Sequence, residues 1–376
     1  MKISSLQENL KNGLLLVGHI AGKNVNLPIL NNVLIRVKNG NIKFISTDLE
    51  LGITAVIRGK IEEEGEYTVD ARVFSDYIAL LPNQKITLTL KDQKLRLQCE
   101  NYKTVIRGQE AEEYPLIPKV DEKDSFNFKA LEFKEALSQV VFAVSNSETR
   151  MELNGVLFDF NEEYLIMVST DSYRLAEKKI KINNSSNKKE KHIIIPAKTI
   201  QELVRILSNV KKENVSDKEL NVVVCVADNQ IKFRINSIEL VSRLIEGQYP
   251  DYKQIIPSQI NTEVIIEKEE LLRAVKTASI FSKTGINDVN LDFPKNKNQV
   301  IITSESSQVG ENIVKLNAKI KGHDNGIVVN YRYLLDGLNN IDSGKIVLNM
   351  VDGSTPCIIK PEDNSEYQYL IMPIKQ

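Results

Sequence analysis

Two Thr-Asp pairs, Thr47-Asp48 and Thr170-Asp171, with three histidines and three cysteines, are the residues of this chain whose types could do chemistry. A carboxylate beside a hydroxyl could serve a hydrolase as acid or base, and histidine with carboxylate or thiolate could hold a metal. The spacing argues against both. His19, His192 and His323 stand far apart with neither HxxxH nor HExxH between them, so a metal site or a histidine-based triad could arise only by tertiary convergence. Cys99, Cys225 and Cys357 lack CxxC spacing and read as small strand or core residues. Neither a GxxxxGK loop nor a strand-linked GxGxxG offers amides to a phosphate. The Thr-Asp pair recurs, whereas a catalytic pair is needed once, and Asp bonded to its local backbone is a common turn residue. The reading is a protein with no catalytic residue, no metal and no cofactor. An enzyme assembled from these turns and histidines, such as a hydrolase, is the alternative, and turnover lost on Asp171→Asn would favour it.

These turns lie within a larger order of signals that repeats three times at a spacing of roughly 125 residues. Each repeat opens with a short strand and a helix pattern: KISSLQENLKNGLLLVGHI from Lys2, FNFKALEFKEALSQVVFAVS from Phe126 and EVIIEKEELLRAVKTASIFS from Glu263. Apolar residues three and four apart carry the helical part. A hairpin follows, at FISTDLELG, MVSTDSYRLA and IITSESSQVG, which puts Asp48, Asp171 and Glu305 in register. Then comes a strand leading into a second helix: YTVDARVFSDYIALLP from Tyr67, IIIPAKTIQELVRIL from Ile193 and IVVNYRYLLDGLNNI from Ile327. Alternating strands close each repeat. The expected fold is α+β: three similar domains, each of two β-α-β-β-β halves with helices against one side of an antiparallel sheet. Turn formers and charges at Pro115–Lys123 and Ile256–Asn261 place the domains at 1–121, 122–257 and 258–376. The hydrophilic stretches 183–191 and 211–219 read as surface loops.

With 42% hydrophobic and 26% charged residues, the composition is that of an ordinary globular protein. No apolar run reaches the roughly 18 residues that cross a bilayer, and Met1 opens without a signal-peptide pattern, so a cytoplasmic protein is expected. Lys and Arg (49) balance Asp and Glu (50), which excludes a surface basic all over but not a local basic face.

In these strings the chain resembles the β subunits of bacterial DNA polymerase III, the sliding clamps, over essentially its whole length. LPIL at Leu27 and STDLE at Ser46 resemble the first domain of that family. LNGVLF at Leu153, STDSYRLA and RLIEGQYPDYKQIIP at Arg243 resemble the second, and VNYRYLLDGLNNI with the ending YLIMPIK resembles the third. The resemblance implies a homodimer, joined head to tail into a ring with helices inside and sheets outside, that encircles duplex DNA without reading its sequence. It implies a processivity factor that recruits the replicative polymerase, the clamp loader and repair proteins, with no membrane partner. Matching places Tyr77 and Ile106 of one chain against Ile280 and Phe281 of the other. A ring retained by topology needs only weak attraction to phosphates, which a net charge of -1 permits. Its DNA-facing candidates are Lys11, Lys23, Lys198, Arg205, Arg273, Lys276 and Arg332; Asn24 stands where the family often has Arg.

Residues common to the repeats serve the fold, and those found in one repeat are better candidates for function. The second hairpin continues Ser172-Tyr173-Arg174-Leu175, against Leu49-Glu50-Leu51-Gly52 in the first. The resemblance places this stretch in a groove for short hydrophobic peptides. Its floor would be Leu153, Thr170, Leu175, Pro250, Ile255, Leu370 and Met372. A second part would use Tyr173, Asn330, Tyr333, Pro373 and Ile374, with Arg150 and Arg174 at the rim. An apolar slot with a few orienting polar groups is the usual form of a peptide anchor site, and Met adapts to several partners. Where the family often shows Gly-His this chain has Ser172-Tyr173, and it ends Ile374-Lys375-Gln376 rather than in a second Met and Arg, so peptide preference is expected to shift.

Overall fold

The structure, a computed structural model of the chain, describes all residues except 23–26, 119, 123, 186–189, 210–219, 296 and 376. The stretch 211–219 and residues 186–189 of the stretch 183–191 therefore lie outside the described residues, as do Lys23, Asn24 and Gln376.

Six α-helices occur among the described residues: α1 (Gln7–Val17), α2 (Ala71–Leu80), α3 (Ala130–Val141), α4 (Ala197–Asn209), α5 (Lys268–Ala278) and α6 (Tyr331–Asn339). Each follows directly on a strand, as the repeat predicts. Local chemistry sets several of their starts. Asp70 caps α2 by accepting from Val73 N at 2.8 Å, and Asn330 caps α6 by accepting from Arg332 N at 2.9 Å. Helix α5 begins with Glu269 and Glu270 and ends with Lys276, charges that complement its dipole. No side chain caps α1; its buried Gln7 instead donates Nε2 to Ile78 O of α2 at 2.7 Å. Strands such as Lys94–Cys99 alternate exposed and buried positions, the period that puts one face on a core.

The described chain forms two compact units: Met1–Leu131, Ile182–Lys188 and Glu202–Leu244 in unit 1, and Glu132–Lys181, Lys189–Gln201 and Ile245–Gln376 in unit 2. They do not follow the repeat boundaries, because the antiparallel sheets run across them. In unit 1 a 14-stranded sheet joins the first and second repeats where Leu51–Ile57 pairs with Ile238–Arg243. In unit 2 a 9-stranded sheet joins the second and third where Arg174–Lys181 pairs with Tyr367–Ile371, and a 4-stranded sheet ends on Gly310–Asn317. Pairing the edge of one repeat with the next removes backbone groups that would otherwise stay open. Aromatic contacts fill both cores: Phe44 on Phe74 at 5.9 Å in unit 1, and Phe133 on Phe158 at 6.3 Å in unit 2.

Candidate functional site

The Ser-Thr-Asp triplets are spent on the fold. Asp171 Oδ1 accepts from Tyr173 N and Arg174 N, both at 3.0 Å, while Thr170 Oγ1 accepts from Ser172 N at 3.1 Å and donates to Arg174 O at 2.6 Å. Asp48 and Thr47 repeat this, with Asp48 Oδ1 accepting from Leu51 N at 2.8 Å and Thr47 Oγ1 donating to Leu51 O at 2.9 Å. The serines close the pattern by donating to helix-end carbonyls, Ser46 to Val17 O and Ser169 to Val140 O. The third hairpin departs from the expected register. Its strands stay paired through Glu305 and Glu311 and turn only after Ser306, so Glu305 lies on a strand and not in the turn.

All three cysteines are buried and free, with burial pushing the Cys357 thiol up to about 12. The histidines are exposed and separately employed: His19 bonds to Glu202 at 2.7 Å and His192 to Asp159 at 3.1 Å. No group of three or more His, Cys, Asp or Glu side chains among the described residues could hold a metal ion.

The residues expected to form a groove converge in unit 2. The tight Asp171–Tyr173 turn puts Ser172 at φ 78°, in the left-handed region, and Arg150 Nη1 donates to its hydroxyl at 3.0 Å. From this turn Tyr173 O accepts from Met372 N at 2.9 Å, while Ile374 N donates to Val328 O at 2.8 Å. The segment Met372-Pro373-Ile374 is thus strung from the hairpin to the strand that precedes α6, and all three residues are half-buried. Helix α6 rests on Tyr369: the hydroxyl donates to Tyr333 O at 2.8 Å, and a Cβ on Gly337 would fall 2.3 Å from the ring. Seated so, α6 brings the Tyr333 ring to Tyr173, stacked at 6.3 Å with 22° between planes.

Arg174 ties these parts together. Its guanidinium meets Asp171 Oδ2 at 2.9 Å, Asp336 Oδ2 at 2.5 Å and Phe142 O at 3.2 Å, and lies 4.6 Å from the Tyr333 ring centroid. Burial alone would lower its pKa, but the Asp336 hydrogen bond and the neighbouring charges carry it above the usual value. Of the floor, Leu175 (0% exposed) and Leu370 (1%) pack with Leu157, Val168, Ile194, Tyr252 and Ile358, so they are core residues as well. Leu153 is buried at the end of the short helix Met151–Leu153, outside that cluster. Thr170 is buried, Pro250 half-buried and Ile255 exposed; its neighbour Ile256 is the residue that packs on the cluster. Asn330 is occupied as the α6 cap.

The sequence reading missed Phe142, Asp336, Ile256 and Tyr249, the last of which packs on the same cluster as Ile256. Asp336 had a signal, since it lies three residues after Tyr333 on the same face of α6. The others belong to the site through hydrogen bonds and packing between residues far apart in sequence.

Among the basic candidates, Lys11, Lys198, Arg273, Lys276 and Arg332 are exposed on helices. Arg205 is not free for an outside anion: it bonds Glu202 at 2.9 Å and donates to Leu15 O and Leu16 O, at 2.8 and 2.7 Å, at the end of α1. Tyr77 and Ile106 line a cleft of about 250 Å³ in unit 1, with exposed Val73 and Val105 beside them. In unit 2 Ile280 is 66% exposed and Phe281 half-buried.

Known proteins of the same architecture fix the family. Sequence models of the DNA polymerase III beta subunit match in tandem, the N-terminal domain at 1–118, the central domain at 127–251 and the C-terminal domain at 253–375. The chain belongs to the DNA polymerase III beta subunit family. A beta sliding clamp of Staphylococcus epidermidis is 30% identical over 359 residues, covering 93% of this chain and 92% of that protein. The crystal structure of a DNA polymerase sliding clamp from Bacillus subtilis superposes with a TM-score of 0.92 at 26% identity, over 100% of this chain and 99% of the other. That of the beta subunit from Thermotoga maritima does so at 0.91 and 26%, over the same shares. Family membership accounts for the three repeats.

Proposed function

We propose that the chain is a DNA sliding clamp, a non-catalytic processivity subunit of the replicative polymerase that encircles duplex DNA as a head-to-tail homodimer and works in the cytoplasm. The observation that carries this is the tandem match of three beta-subunit domains, in order, along the chain. In this reading the domains run 1–121, 122–257 and 258–376. A direct DNA binder would need many phosphate contacts, each making it more salt-sensitive and slower to move. A closed ring needs few, which suits a net charge of -1. Lys11, Lys198, Arg273, Lys276 and Arg332 supply the weak attraction in this reading, and Arg205 a fixed field from its place against α1. The proposed dimer sets Tyr77 and Ile106 of one copy against Ile280 and Phe281 of the other. It is supported by the apolar surface around both pairs and by the outer edge of Gly310–Asn317, the last strand of its sheet among the described residues. The unit 2 groove receives the apolar side chains of short peptides from polymerase, clamp loader and repair proteins.

The test is retention: protein loaded on nicked circular DNA should stay through gel filtration and leave once the circle is cut. Equal retention on linear and circular DNA, or a monomer at micromolar concentration by sedimentation, would overturn the proposal.

A further inference from the structure

The chain carries its sulfur in three cysteines and five methionines, all among the described residues, and the fold covers all but two of them. Cys99, Cys225 and Cys357 are buried. So are Met1, Met167 and Met350, none more than 5% exposed. The two that reach solvent are Met151, 56% exposed, and Met372, half-buried. They stand far apart in sequence, yet one turn of unit 2 ties both down. Met372 N donates to Tyr173 O at 2.9 Å, and Arg150, the residue before Met151, donates Nη1 to the Ser172 hydroxyl at 3.0 Å.

The two sulfurs differ in setting. Met151 Sδ accepts from Asn154 Nδ2 at 3.6 Å, beside the short helix Met151–Leu153, so a polar group already faces it. Met372 lies on the apolar run Leu370–Ile374, where the segment is strung from the Tyr173 turn to the strand before α6. With every thiol buried, no cysteine competes with these thioethers for an oxidant from solution.

We propose that Met372 is a reversible oxidation site and that its sulfoxide releases bound peptides from the unit 2 groove. The inference rests on the reading of that groove as a peptide site. The oxidant is a hydroperoxide. The thioether lone pair attacks one peroxide oxygen, an S–O bond forms as the O–O bond breaks, and the sulfur gives up two electrons. The proton of the attacked oxygen passes to the departing hydroxide, so hydrogen peroxide leaves as water. A flexible apolar side chain becomes a polar one. In the free protein the new S–O dipole keeps its water, because Met372 reaches solvent. Against an aliphatic peptide group it has to shed that water with nothing to replace it, so the penalty falls on the complex.

The test uses the full chain carrying Met151→Leu, which leaves Met372 as the methionine in reach of solvent. Binding of a fluorescein-labelled Gly-Leu-Phe-Leu-Gly amide is read by anisotropy before and after hydrogen peroxide. Saturable binding before treatment checks the groove itself; its absence would refute that reading, and the release step with it. Mass mapping of the treated protein should find an added oxygen on Met372 and none on Met167 or Met350, and saturating peptide should slow that addition. Affinity should then fall about tenfold or more, and return when methionine sulfoxide reductase and dithiothreitol remove the oxygen. Tm should move by less than about 2 °C, which separates release from unfolding. In Met372→Leu, peroxide should leave that variant's own affinity where it was. Oxidation of Met167 or Met350 in the native protein, full oxidation of Met372 with unchanged affinity, or an equal fall in treated Met372→Leu would overturn the proposal.

Discussion

Leu175 and Met372 were both expected to form one groove, and the structure predicts that their truncations differ in kind. Leu175 is 0% exposed in a closed cluster, so Leu175→Ala removes three carbons at about 0.8 kcal/mol each and leaves a void that surrounding strands cannot fill. The expected loss is about 3–4 kcal/mol, which for a unit of this size lowers Tm by roughly 6–16 °C. Met372 is half-buried on an irregular segment, so Met372→Ala opens no enclosed cavity and should cost less than about 1 kcal/mol. Its effect should fall on binding: losing an apolar anchor of about 1.4 kcal/mol or more weakens a bound apolar pentapeptide at least tenfold. Scanning calorimetry reads the first quantity and fluorescence anisotropy the second. If Leu175→Ala melts within 2 °C of the parent protein, the packing argument is wrong. If Met372→Ala binds the peptide unchanged, the groove has been put in the wrong place.

Arg174→Ala should cost about 2 kcal/mol, because it leaves Asp171 Oδ2 and Phe142 O unmatched while half-exposed Asp336 turns to water; Arg174→Lys should recover less than half of that in calorimetry, since an ammonium cannot reproduce the flat contact with Tyr333. The Lys232 hydrogen bond holds the Glu122 carboxyl below its ordinary value of 4.5, so the pair's contribution is fully present above that pH and is lost as pH falls through the lower folded value. Between about pH 5 and pH 3 the parent protein should therefore lose more Tm than Glu122→Gln does. With all three thiols buried, Cys99, Cys225 and Cys357 should resist a thiol-reactive dye at about pH 8 until denaturant is added, and rapid labelling of the native protein would contradict their placement.

The order of elements was legible because strand and helix periods repeat three times and each repeat restates the others. Register was less so. IITSESSQVG looks like the other hairpins, yet its strands pair as far as Ser306 with Gly310, four apart, where Thr170 and Leu175 close five apart. A similar string aligned one carboxylate with two turn residues that it does not match. Compact units were illegible for another reason: sheet edges that meet across repeats are set by pairings such as Ala55 with Ile238, far apart in sequence. Arg205 shows the same limit. Its place on α4 suggests an available cation, and only the folded chain brings it to the carbonyls of Leu15 and Leu16.

The groove is partly legible from the repeats themselves, and the reason is energetic. Ser46-Thr47-Asp48 and Ser169-Thr170-Asp171 satisfy the turn with their own hydrogen bonds, so the turn asks of the next two positions only their backbone shape, and their side chains can differ between repeats. In the first repeat they are Leu49 and Glu50, the former at φ 80°. In the second they are Ser172, which takes Arg150, and Tyr173, which meets Tyr333. Comparing repeats therefore separates what the turn requires from what the site uses. It fails only where one residue does both, as Leu175 does, because a side chain that closes the core and underlies the groove looks the same in sequence as one that only closes the core.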